Sequence, residues 1–134
     1  MATVVNSFAL DGVNAYPVIV ETVTLHGQPS VNIVGLGDMA VKEAAHRLLA
    51  ALSCGSFEFP KLKVVINLAP SGVKKSGSHF DLAMAVSLLH EAGQMLAIKE
   101  DLLEIAFIGE LSLNIRRDLS GVYYLWLLQQ ESVA

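Results

Sequence analysis

At 134 residues, with a net charge of −4 and 53 % hydrophobic against 16 % charged residues, the chain fits a single domain, residues 1–134, with a large core or a face that meets something else. The acidic balance gives no global attraction for nucleic acid, although a local basic patch can still act. A single cysteine, Cys54, excludes an internal disulfide and fits a reducing, cytoplasmic setting; "MATVVNSFALDG" lacks the layout of a secretory signal, and no run of about eighteen apolar residues predicts a membrane span.

Strands are predicted first around Val4 to Leu10. A second follows from Tyr16 to Leu25, where Val18, Val20, Thr22 and Thr24 alternate with Ile19, Glu21, Val23 and Leu25. The β-branched run Val31 to Val34 predicts a third. A helix comes next, with Val41, Ala44, Ala45, Leu48 and Leu52 on one face and Lys42, Glu43 and Arg47 mostly elsewhere. "LKVVINLA", Leu62 to Ala69, reads as a strand buried on both faces, and "HFDLAMAVSLLHEAG" as a helix buried nearly all round, stopped at Gly93. "EIAFIGELSL", Glu104 to Leu113, predicts another strand, and Ser120 to Gln130 a third helix. The predicted order is three strands, helix, strand, helix, strand, helix.

Two stretches imitate nucleotide-binding turns. Gly35, Gly37 and Ala40 in "VNIVGLGDMAVKEA" have the spacing G-x-G-x-x-A, but a dinucleotide site needs an acid at the end of the next strand. Glu58 precedes that strand, and the strand ends Asn67-Leu68-Ala69. The glycines are therefore expected to make a sharp strand-to-helix turn, with Asp38 capping the helix. In "GVKKSGSH" the spacing after Gly72 suggests a P-loop, but Ser78 and His79 stand where lysine and a hydroxyl residue are required. This chain is not expected to hydrolyse ATP by itself.

The same loop holds the strongest binding candidate. Lys74 and Lys75 are adjacent and precede an expected helix start at Ser78, where free backbone N–H groups favour anions, and the neighbouring glycines permit close approach. Lys74, Lys75, Ser76, Gly77 and Ser78 are thus candidates for a phosphate contact on nucleic acid or a contact to another protein module. A solvated loop has the same composition. Ser78 is also expected to cap the helix, with Asp81 completing a capping box. The four histidines lack ligand spacing, so no metal site is predicted, and Glu110 reads as a solvated strand carboxylate rather than a catalytic acid.

"VNIVGLGDMAVKEA", "FEFPKLKVVINLAPSGVKKSGSHFDLAMAVSLL" and "FIGELSL" together resemble the amino-terminal domain of the magnesium-chelatase-like AAA+ ATPases, of the bacterial competence protein M type, from about Ser7 to Leu113. The resemblance implies an α+β fold of two layers: a mostly antiparallel sheet with helices on one face, like the Lon protease domain and the second domain of a small-subunit ribosomal protein. Lon-type enzymes use a serine–lysine dyad. On this chain His79 and Tyr124 fall at those two positions, so no catalytic residue is expected.

The resemblance further implies a noncatalytic accessory domain that positions DNA or neighbouring subunits, with its own ATPase module and other subunits as partners. ATP and magnesium would belong to that module, and no cofactor or membrane to this chain. Competing readings are a Lon-like hydrolase with an unorthodox nucleophile and a pure oligomerisation module. Past Leu113 the match frays, and the apolar run Tyr123 to Leu128 is expected to self-associate or to lack order.

Overall fold

Alternation along the first three strands builds one sheet face that can be buried and one that stays half open. Those strands are β1 (Thr3–Asp11), β2 (Asn14–Leu25) and β3 (Ser30–Val34), followed by α1 (Asp38–Cys54), β4 (Lys63–Ala69) and α2 (Asp81–Glu91). The structure, a computed structural model, describes residues 2–54, 57–94 and 102–111. The predicted third helix, Tyr124 and the apolar run Tyr123 to Leu128 lie outside the described residues.

The sheet has four strands in the order β1-β2-β4-β3. β1 pairs with β2 and β2 with β4 antiparallel, whereas β3 and β4 run parallel, as the helical crossover between them requires. The molecule is therefore α+β with a mixed sheet. Val5, Ala9, Val18, Val20, Ile33, Val64, Ile66 and Leu68 project from one face into a single core, where they meet Ala44, Leu48, Ala51 and Leu52 of α1 and the length of α2. The predicted apolar face of α1 and the faces of β2 match this arrangement. α2 is wedged as its composition suggests: every residue from Asp81 to Leu89 is buried. Just beyond its end, Gly93 has φ +73°, a left-handed conformation suited to a residue without a Cβ, and its N–H donates to the His90 carbonyl at 3.1 Å.

Two expectations need correction. β4 is buried on one face only: Val64, Ile66 and Leu68 are covered, while Val65, Asn67 and Ala69 are half-buried on the face opposite the helices. A central strand lined by helices on one side has no second layer to hide its other face. The strand predicted from Glu104 is, over the described residues up to Leu111, a single parallel bridge between Asn6 and Ala106. Here the Phe107 N–H donates to the Asn6 carbonyl and the Phe107 carbonyl accepts from the Ser7 hydroxyl, so side chains complete the contact along the β1 edge.

Hydroxyls on the covered sheet face pair directly with the layer above. Thr22 meets Ser87 of α2 at 2.6 Å, and Thr3 donates to Glu91 at 2.5 Å. Among the described residues, no buried side-chain nitrogen or oxygen lacks a hydrogen-bond partner.

Candidate functional site

The loop from Pro70 to Phe80 leaves the end of β4 through a cis Ala69–Pro70 peptide bond. The structure separates its two lysines. Lys75 is 8 % exposed, and its ammonium donates to the carbonyls of Pro70 at 2.5 Å and Val73 at 2.8 Å, tying the loop back onto its own start. Lys74 is exposed, as are Ser76 and Gly77, while Ser78 is half-buried. Replacing Lys75 by methionine is expected to lower stability by about 1–2 kcal/mol, since two carbonyls lose a charged donor, whereas Lys74→Met should stay within about 0.5 kcal/mol. Equilibrium urea unfolding of the two variants distinguishes the roles.

The expected helix start at Ser78 is not where the helix begins. Phe80 occupies the N-cap position with no side-chain capping bond, and Ser78 contributes its backbone carbonyl, which accepts from the Asp81 N–H at 3.2 Å. No capping box forms, because the Asp81 carboxylate is taken by a partner from another helix. Arg47 of α1 donates through Nε to Oδ2 at 2.5 Å and through Nη2 to Oδ1 at 3.0 Å, a two-pronged ion pair. Its hydrogen bond with this carboxylate raises the guanidinium above its usual range.

Residues Gly109–Leu111 close over the same helix end. The Leu82 N–H donates to the Gly109 carbonyl at 2.9 Å, the Gly109 N–H to the His79 carbonyl at 2.9 Å, and the Leu111 N–H to Asp81 Oδ2 at 3.3 Å. A carboxylate and a carbonyl thus hold the ground that an anion would need, so the attraction of a free helix terminus does not operate at α2. What the loop offers instead is the Lys74 ammonium.

His79 lies before α2 rather than within it. Its Nε2 is 3.0 Å from the Phe8 carbonyl, and its ring centroid is 4.2 Å from that of Phe80. The imidazole is bound to the strand β1 backbone, while Tyr124, at the other dyad position, lies outside the described residues. Of the remaining histidines, His26 and His46 are exposed and His90 of α2 contacts Thr3. Among the described residues no group of three histidine, cysteine or carboxylate side chains is placed to hold a metal ion.

The G-x-G turn owes its first glycine to its own neighbours. Gly35 has φ +107°, and a Cβ there would lie 2.6 Å from the Leu68 carbonyl oxygen and 3.2 Å from Lys75 Cε. The space in which a dinucleotide motif admits pyrophosphate is filled here by the end of β4 and the lysine stem. A Cβ on Gly37 would meet nothing within 4 Å. The predicted sharp turn therefore depends on one glycine. Asp38 stands in the first turn of α1, where the Val41 N–H donates to the Gly37 carbonyl at 2.9 Å.

A cleft of about 1090 Å³ opens on the far side of the molecule, between Thr24, Phe57, Phe59 and Glu91. It includes Glu58 but none of the loop candidates.

Sequence comparison places these features in a lineage. A protein-family profile described as subunit ChlI of Mg-chelatase matches residues 20–130. The chain belongs to this family. It is 40 % identical over 112 residues to the uncharacterized protein YifB of Escherichia coli, which covers 84 % of this chain and 22 % of that protein. Competence protein ComM of Haemophilus influenzae is 35 % identical over 130 residues, covering 96 % of this chain and 25 % of ComM. The chain thus spans about a quarter of the length of the curated relatives it matches. The matched region takes in the β3–α1 turn, the pinned loop and the Arg47–Asp81 pair alike.

Sequence reasoning missed the Arg47–Asp81 pair, the most constrained polar contact in the site. A signal for it was present: Asp81 is the one acid in an otherwise apolar stretch of helix, and a carboxylate carried into a core needs a cationic partner.

Proposed function

We propose that this chain is a noncatalytic, Lon-like accessory domain of a longer magnesium-chelatase-like AAA+ ATPase of the competence protein M type. In that role it positions DNA or neighbouring subunits while a module outside these 134 residues supplies the ATP-driven work. Family membership supports the setting, and the predicted strand–helix order up to α2 agrees with the α+β sheet. One observation carries the role: the exposed Lys74 sits on a loop whose neighbour Lys75 is locked inward, which presents a single cation on a braced support. Bracing matters because a contact made by an already ordered loop loses less conformational entropy.

The test uses the complete ATPase with Lys74→Ala, following the salt dependence of DNA binding. A lost phosphate contact flattens the slope of log affinity against log salt by about 0.9 on a duplex. Adding Lys75→Ala should change the slope little beyond that and loosen the loop. An unchanged slope with Lys74→Ala removes DNA phosphate from the proposal. If ATPase stimulation falls while the slope holds, the lysine answers an acidic group on the motor module instead.

A further inference from the structure

Residues 102–111 form a strap whose two ends are fastened differently. At the β1 end, Asn6 Nδ2 donates to the Leu103 carbonyl at 2.8 Å, the Phe107 N–H to the Asn6 carbonyl at 2.8 Å and the Ser7 hydroxyl to the Phe107 carbonyl at 2.9 Å. Phe107 and Ile105 are also buried in the core. At the α2 end Gly109 is half-buried and Glu110 exposed, and the one side chain that enters the core is that of Leu111. Beside that side chain, the end is held by backbone bonds to His79 and Leu82 and by the bond from Leu111 to Asp81.

Asp81 can serve Leu111 only while its carboxylate is held in place. The side chain is 1 % exposed, and its two oxygens receive Arg47 on one side and the Leu111 N–H on the other. Without the guanidinium, a buried carboxylate would retain one backbone donor and would have to admit water, take up a proton or turn outward. Turning outward removes Oδ2 from Leu111, and water or a proton on the carboxylate weakens it as an acceptor. Arg47 is itself 20 % exposed and faces Asp81, with Glu110 and Glu43 also near enough to favour its charge. It therefore lies at the solvent edge, beside the buried acid.

We infer that the Arg47–Asp81 pair is a clasp that sets whether the Gly109–Leu111 end of the strap is docked on α2, so that opening it frees this end alone while the Phe107 end stays on β1. Arg47 acts through Asp81 and is a positioning residue. The clasp joins α1, α2 and the strap at one point, so a shift of α1 is passed to the strap through it.

Hydrogen exchange of the 134-residue chain, read amide by amide by NMR, tests the device. In Arg47→Met, the Leu82, Gly109 and Leu111 amides are expected to exchange about tenfold faster or more, while Phe107, Val20 and Ile66 keep their rates. Asp81→Asn retains a side-chain oxygen for Leu111 but loses the charge pairing, so it should accelerate the same amides by a smaller factor. Unchanged rates at Gly109 and Leu111 in both variants would overturn the clasp. So would a uniform acceleration that includes Val20 and Ile66, since that reports a general loss of stability. If Arg47→Met does not fold, Asp81→Asn decides by the same criterion: acceleration confined to the helix end supports the clasp, and acceleration everywhere refutes it.

Discussion

Replacing Gly35 by alanine is expected to destabilise the domain by about 2–4 kcal/mol, the sum of a left-handed backbone penalty and an overpacking penalty. The new Cβ would stand 2.6 Å from the Leu68 carbonyl oxygen and 3.0 Å from Leu68 Cβ. Neither neighbour can yield cheaply. Leu68 belongs to β4, which is hydrogen-bonded to β2 on one side and to β3 on the other, so moving its carbonyl disturbs the middle of the sheet. The third neighbour, Lys75 Cε, is the stem of the side chain that pins the loop. Gly37→Ala makes the control: with no atom within 4 Å of its Cβ position, it should change stability by less than about 1 kcal/mol in either direction. Urea midpoints of the two variants are compared. If Gly35→Ala unfolds at the same urea concentration as Gly37→Ala, the close approach of β4 is not what requires glycine at position 35.

That pair of variants also bears on how much of this molecule can be read from its sequence. Period-two alternation locates β2, whose one face is covered while the other is not, and the β-branched run Val31 to Val34 locates β3. The apolar stripe of α1 and the all-round burial of α2 were legible for the same reason, burial being what hydrophobic pattern records. A buried acid such as Asp81 announces the need for a cation, but which distant residue supplies it leaves no such trace. Arg47 and Asp81 are 34 residues apart, and the short spacing from Ser78 to Asp81 suggested a local bond instead. The two adjacent lysines looked equivalent, yet one turns inward because the carbonyls of Pro70 and Val73 converge on it. Loop geometry decides that, and composition does not. The stretch beyond Glu104 reads as a strand because it is apolar, yet its buried residues Ile105, Ala106 and Phe107 are consecutive rather than alternate. Its polar backbone finds partners on β1 and α2 in turn.

The second large effect is expected at Phe80, which is fully buried where the loop enters α2. Phe80→Ala should cost about 3–5 kcal/mol, from the lost transfer free energy of the ring and from the cavity left behind. Refilling is hindered, because the neighbours are held: the backbone of His79 and Leu82 is bonded to Gly109, and Asp81 is fixed by Arg47. For a chain of this size the loss corresponds to a fall in Tm of roughly 10–20 °C. Phe80→Leu keeps most of the volume and should lose less than half as much. The ring also lies against His79, so the alanine variant removes the support that holds the imidazole toward the Phe8 carbonyl. Calorimetry on the alanine and leucine variants measures the first effect, and the His79 ring resonances in NMR spectra of the folded leucine variant measure the second. A Tm within a few degrees of the parent for Phe80→Ala would mean that this corner of the core repacks freely, and the bracing argued for the Lys74 loop would then lose its lower anchor.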